Sequence, residues 1–145
     1  MHEISPLFGP VVGLVAWTLV MQIWMYVVRF GAFKRHGISL KGRIGGRPGM
    51  LDGVVEDPVQ WKAHNYNHLM EQPTLFYAIT IVLALMHGDY QINVILAWTY
   101  VGLRIVHSLI QATTNVVRWR FMVFSLASIV LLGLTIHAAA HIIHG

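Results

Sequence analysis

Two groups of polar side chains stand inside otherwise apolar sequence. His64, Asn67, His68 and Glu71 fall at offsets 0, 3, 4 and 7, a spacing that puts all four on one face of a helix. Arg104, His107, Gln111, Asn115 and Arg118 fall at 0, 3, 7, 11 and 14, again one face, over four turns. Arginines grip carboxylates through paired, charge-assisted hydrogen bonds, and a buried glutamate can hold an ammonium. The two stripes together suit a small polar ligand. At ~1.5 Å rise per residue, Arg104 and Arg118 stand roughly 20 Å apart along a helix, which predicts a polar cavity between the stripes deep enough for an elongated ligand. His64, His68 and Glu71 could also offer two imidazoles and a carboxylate to one ion. The HExxH order is missing, and the chain has no cysteine; no metal is expected there. Polar glue between membrane helices accounts readily for a single Asn or Gln, but less well for nine residues that include a carboxylate and guanidinium groups.

The elements that must carry these stripes follow from composition. Of 145 residues, 56% are hydrophobic and 11% charged, with mean hydropathy +0.60. An ordinary soluble domain carries about 25% charged residues. Without cysteine the chain is no disulfide scaffold, and its density of Ile, Val, Leu and aromatics excludes disorder. A net charge of +4 does not imply nucleic acid, because the cations sit in loops between apolar runs. A bilayer core needs about 20 apolar residues per helix, and the sequence supplies four such runs, approximately residues 5–30, 59–87, 90–117 and 120–143. Short hairpins are expected at His87-Gly88-Asp89 and around Arg118-Trp119-Arg120. The expected fold class is all-α: an integral membrane four-helix bundle forming one domain over residues 1–145. The first run starts with His2 and Glu3 rather than basic residues and lacks a cleavage site, so it reads as a permanent helix.

Loop charges set the orientation. The first loop holds Arg29, Lys34, Arg35, Lys41, Arg43, Arg47 and Lys62, the second no Lys or Arg, and the third Arg118 and Arg120. The first and third loops are therefore expected in the cytoplasm and both termini opposite. Within the first loop, Gly42-Arg43-Ile44-Gly45-Gly46-Arg47-Pro48-Gly49 resembles a phosphate-cradling loop in composition only. No strand precedes it and no glycine fingerprint fits, so it reads as a flexible basic loop on an anionic leaflet. Asp57-Pro58 reads as a helix start. His137, His141 and His144 share a face at the far membrane surface and read as interfacial polar residues. Trp17, Trp24, Trp61, Trp98 and Trp119 read as interface or lipid-facing packing.

The segment Ala63-His64-Asn65-Tyr66-Asn67-His68-Leu69-Met70-Glu71-Gln72-Pro73-Thr74-Leu75-Phe76 resembles the second-helix signature of the MAPEG family, membrane-associated proteins in eicosanoid and glutathione metabolism. Tyr100-Val101-Gly102-Leu103-Arg104-Ile105-Val106-His107-Ser108 is similar to its third-helix signature. The length, the four spans and the basic first loop are similar too, so the resemblance covers essentially the whole chain. It implies a left-handed four-helix bundle assembled as a homotrimer, of bacterial type and akin to microsomal glutathione transferases, with glutathione sites between subunits open to the cytoplasm. The family's helix-two glutamate falls on Glu71 and its helix-three arginine on Arg104. His68 stands where the family usually has asparagine, with Asn67 beside it, and His64 stands where it has arginine. His107 and Gln111 replace two tyrosines of the leukotriene-forming branch, whose substrate is not expected here.

The resemblance implies that Arg118 is the catalytic residue, stabilising the glutathione thiolate, a role suited to a permanently charged guanidinium. His64, Asn67, His68, Glu71, Arg104, His107 and Gln111 are the expected glutathione-binding set. The expected function is a membrane-bound glutathione-dependent transferase or peroxidase acting on lipophilic electrophiles, with glutathione as co-substrate. Expected partners are glutathione, a lipophilic small molecule, membrane lipid and further copies of the chain, in a bacterial inner membrane. The alternative is a non-catalytic membrane protein that binds a lipid or partner in the same cavity.

Overall fold

Hydrocarbon offers no water to backbone N–H and C=O groups, so a spanning chain must pair them internally. The computed structural model describes residues 4–47 and 49–144, which form five helices: α1 (Phe8–Arg35), α2 (Asp57–Leu69), α3 (Pro73–Leu85), α4 (Gln91–Ala112) and α5 (Val117–His144). No strand occurs among the described residues. Four helical stretches are long and apolar enough to cross a membrane, the second being α2 and α3 together, Asp57–Leu85. His2 and Pro48 lie outside the described residues.

The boundaries differ from the expected spans for local reasons. Helix α1 continues to Arg35, where Lys34 and Arg35 complement its C-terminal dipole, before Gly37 takes a left-handed φ of 63°. The second span breaks after Leu69, because Pro73 has no N–H to donate and its ring crowds the carbonyl four residues back. The third span stops at Ala112 rather than 117. There Asn115 adopts a left-handed φ of 52° and its N–H returns to the Ile110 carbonyl at 2.7 Å, closing the helix end as such caps do.

Helix α4 packs against α1, α2 and α5, and α3 against α1 and α5. The core is Leu7, Leu14, Phe76, Leu83, Tyr100 and Leu134 with small alanines between them. Phe76 stacks on Tyr100 with ring centroids 4.4 Å apart. Four hydroxyls within the spans are satisfied along their own helices: Thr18, Thr99, Ser128 and Thr135 each donate to the carbonyl four residues earlier. Glycine matters where elements approach closely. Gly9 and Gly13 leave room for the Trp98 ring, which stands 3.3 Å from where a Cβ would sit on either.

The turn from α3 to α4 is equally tight. His87 is left-handed at φ 57°, and the Gly88 N–H donates to the Leu83 carbonyl at 2.8 Å. A Cβ at Gly88 would meet Leu83 Cδ2 at 3.0 Å and its carbonyl oxygen at 3.2 Å. Gly88→Ala should therefore cost about 1–3 kcal/mol, the range for overpacking. Thermal unfolding in detergent checks this; an unchanged midpoint would mean that the turn relaxes freely.

Candidate functional site

The break in the second span frees backbone groups, and the polar residues gather around them. The His68 carbonyl receives the Glu71 N–H at 3.2 Å and Arg104 Nη2 at 3.2 Å. Gln72 is fastened from two sides: it accepts from the Tyr100 hydroxyl at 3.1 Å and donates to Ser128 Oγ at 2.8 Å. Deeper in the α2–α4 contact, buried Asn65 donates to Ser108 Oγ at 2.7 Å. The stripes had passed over Asn65, Gln72 and Ser108; small polar residues at the inner faces of two apolar helices were the available signal.

Arg104 is completely buried. Its Nη2 is committed to His68, while Nε and Nη1 have no partner among the described residues. The guanidinium lies 5.7 Å from the Phe124 ring centroid and 6.0 Å from that of Tyr100. His68 Nδ1 stands 3.4 Å from Arg104 Nη2 and 3.7 Å from Glu71 Oε2. One nitrogen cannot serve both. Arginine is an obligate donor, so the Arg104 contact requires an Nδ1 without its proton, and at 3.7 Å Glu71 stands beyond hydrogen-bond distance of this ring. Buried His107 meets His68 edge-on at 4.9 Å. Gln111, one turn further on, is buried with its Oε1 unpartnered.

His68, Arg104, His107 and Gln111 thus come together, as the stripes implied. Glu71 does not join them, since it lies beyond the end of α2 with its side chain 70% exposed; the helical offset from His64 stops applying where the helix stops. The third-loop arginines also separate. Arg118 is exposed, whereas Arg120 is half-buried, donates Nη1 to Asn115 Oδ1 at 2.8 Å and keeps a buried, unpartnered Nε. Because α4 ends at Ala112, a helical count from Arg104 no longer fixes where either arginine points.

His64 and Asn67 face elsewhere. They line a cavity of about 740 Å³ bounded by the end of α1, the first loop and α2, around the side of α2 from Arg104. The loop that forms its roof is ordered by an apolar cluster of Ala32, Val55 and Val59 with Phe33, Ile38 and Leu51. Glu56, just ahead of α2, accepts from His36 Nε2 at 3.1 Å and stands 3.7 Å from Arg35 Nη2, joining the two ends of the loop. At the opposite end of the bundle, His137 bonds Asn93 Oδ1 and His141 bonds the Met86 carbonyl at 2.8 Å. These histidines tie α5 to the α3–α4 turn. Among the described residues, no group of three or more His, Asp or Glu side chains is placed to hold a metal ion.

Fold and site describe an integral, multi-pass membrane protein with a buried, partly unpartnered arginine in a four-span helical bundle. A model of the MAPEG family matches residues 7–140, and the chain belongs to the MAPEG family. Comparison with curated proteins and with solved structures gives no match.

The loop staple has a defined pH sense. Backbone hydrogen bonding, then the His36 contact, hold the Glu56 carboxyl below the usual carboxylate range. A lowered acid contributes stability that is complete above its unfolded value and is lost as pH falls through its folded one. Proteolysis of residues 38–55 should be pH-independent near neutrality, accelerate below the ordinary carboxylate range, and be fast at all pH in Glu56→Gln. Equal cleavage of variant and parent would show that the apolar cluster alone holds the loop.

Proposed function

We propose that this chain is a glutathione-dependent transferase or peroxidase of the membrane, acting on lipophilic electrophiles as a homotrimer in a bacterial inner membrane. The observation that carries the reading is Arg104, fully buried with two guanidinium nitrogens unpartnered beside His107, His68 and Gln111. A buried donor without a partner is costly, and a carboxylate oxygen of glutathione would accept a charge-assisted bond from Nη1 or Nε. Glu71 would take the ammonium, and His64 and Asn67 would complete the binding set where the ligand runs toward the loop.

In the proposed reaction the thiol loses its proton, the sulfur lone pair forms the new bond to the electrophilic carbon, and the leaving group departs with its bonding pair. With a hydroperoxide, sulfur attacks oxygen, the O–O bond breaks, and a second glutathione completes the reduction as a disulfide. Arg118 is the proposed thiolate partner. Its exposure suits a sulfur that lies between subunits. That same exposure favours the second reading: a non-catalytic protein that holds a lipid or partner.

Purified protein should bind glutathione saturably and generate thiolate absorbance on binding. Arg104→Lys, which keeps charge but loses the fork, should weaken binding roughly tenfold, the loss of about one charge-assisted hydrogen bond. Arg118→Ala should retain binding and lose the thiolate signal. Turnover of a generic aryl halide separates the two readings, and a protein that binds no glutathione ends the first.

The first and third loops are proposed to face the cytoplasm, on the loop lysines and arginines. An engineered cysteine at Arg43 should be shielded from an impermeant thiol reagent in intact cells and one at His144 labelled. The reverse pattern would invert the topology.

A further inference from the structure

The cavity beneath the first loop has a chemistry of its own. Its cations are Arg29, Arg43 and Arg47, and Asp52 is the carboxylate among its lining residues. Asp52 already accepts from Gln60 Nε2 at 3.1 Å, and the three guanidiniums leave an excess of two positive charges. Arg29 stands half-buried at the end of α1 with its Nε buried and unpartnered. Arg43 and Arg47 stand exposed on the loop. Much of the remaining wall is apolar, with Phe30, Phe33, Ile38 and Leu40 prominent, and Gln60, His64 and Asn67 add neutral polar groups. A volume of about 740 Å³ lies within the ~300–1,000 Å³ usual for small-molecule sites.

The loop is shaped for this closure. Gly42, Gly45, Gly49 and Gly53 all take left-handed φ values between 73° and 80°, a conformation that glycine adopts without strain. At Gly49 a Cβ would also stand 3.0 Å from Asp52 Oδ2. Beside the cavity, Lys62 Nζ lies 5.4 Å from the Trp24 ring centroid, an amphipathic pair of the kind that marks a membrane–water interface. Three cations together with an aromatic and aliphatic lining match a molecule that is part anion and part alkyl chain.

We propose that this cavity binds a phosphate monoester carried on an alkyl chain, its head held by Arg29, Arg43 and Arg47 and its chain laid along Phe30, Phe33 and Ile38. A phosphate monoester carries about −1.5 to −2 charge near neutrality, which matches the excess of two better than a single carboxylate does. Guanidinium forks fit its oxygens bidentately. The site is separate from the glutathione reading, since its cations are not those around Arg104, although His64 and Asn67 border it.

The full-length protein in neutral maltoside detergent is titrated calorimetrically with dodecyl phosphate. Saturable binding at one site per chain is expected, weakened at least about tenfold in Arg43→Ala/Arg47→Ala by the loss of charge-assisted bonds. Both substituted side chains are exposed, so the thermal midpoint should hold. Inorganic phosphate should bind more than about tenfold more weakly, because apolar burial supplies part of the affinity. Repeating the titration in nanodiscs with and without phosphatidic acid identifies the source. Competition by the lipid upholds the site as one for a membrane phosphate, and its absence upholds it for a free alkyl phosphate. Non-saturable uptake, equal affinity in the double variant, or equal affinity for inorganic phosphate would each overturn the proposal.

Discussion

The hydrogen bond from Arg104 to the His68 carbonyl is the interaction on which the rest of the arrangement turns. Pro73 removes a backbone donor in the middle of a span, where no water can replace it. The carbonyl left without its helical donor is that of Leu69; beside it the His68 carbonyl, already bonded by the Glu71 N–H, takes a second donor from α4. Gln72, held between Tyr100 and Ser128, fixes the other side of the break. The bundle is thus locked by polar contacts at the one place where its helical ladder fails. Because only Nη2 is spent there, Nε and Nη1 remain with fixed direction and no partner. A structural contact therefore leaves charged donors without a partner inside the bundle.

Helix α2 also divides what looked like one stripe into two surfaces. It packs on α1 and on α4, and a face seven residues long reaches both neighbourhoods. His68 turns to Arg104 and His107, while His64 and Asn67 turn toward the loop cavity. Side chains three or four apart share a face, but the width of that face is comparable to the width of a groove between helices. Which groove each side chain enters is decided by packing, through buried contacts such as Asn65 with Ser108.

Much of this was legible in the sequence. Four spans, the inward face of α4 and the meeting of His68 with Arg104 and His107 follow from hydropathy and helical period, because both properties are local. The break at Pro73 was visible as a proline, yet its effect on Glu71 depends on where the helix stops rather than on spacing. The same holds for Arg118 and Arg120, beyond the end of α4 set by Asn115. The loop cavity left least trace. It arises from glycines that allow the chain to fold back and from long-range contacts among Ala32, Val55 and Val59, and neither has a period to read.

Glu71 carries the argument furthest. In the single chain its carboxylate is 70% exposed, lies beside the break in the second span, and receives no bond from His68. A charge turned to lipid is costly, and carboxylates at membrane depth accordingly face protein or a water-filled space. Lipid is thus the wrong neighbour for this side of the bundle. Arg118, exposed in the next turn of the polypeptide after α4, imposes the same requirement on the surface it occupies, unless it reaches the headgroup layer. A cleft between two copies would satisfy both, with Glu71 lent by one side and a cation by the other. An assembly would then be a consequence of electrostatics as much as of apolar packing, since each copy alone leaves charged groups that neither its own core nor the bilayer can accept.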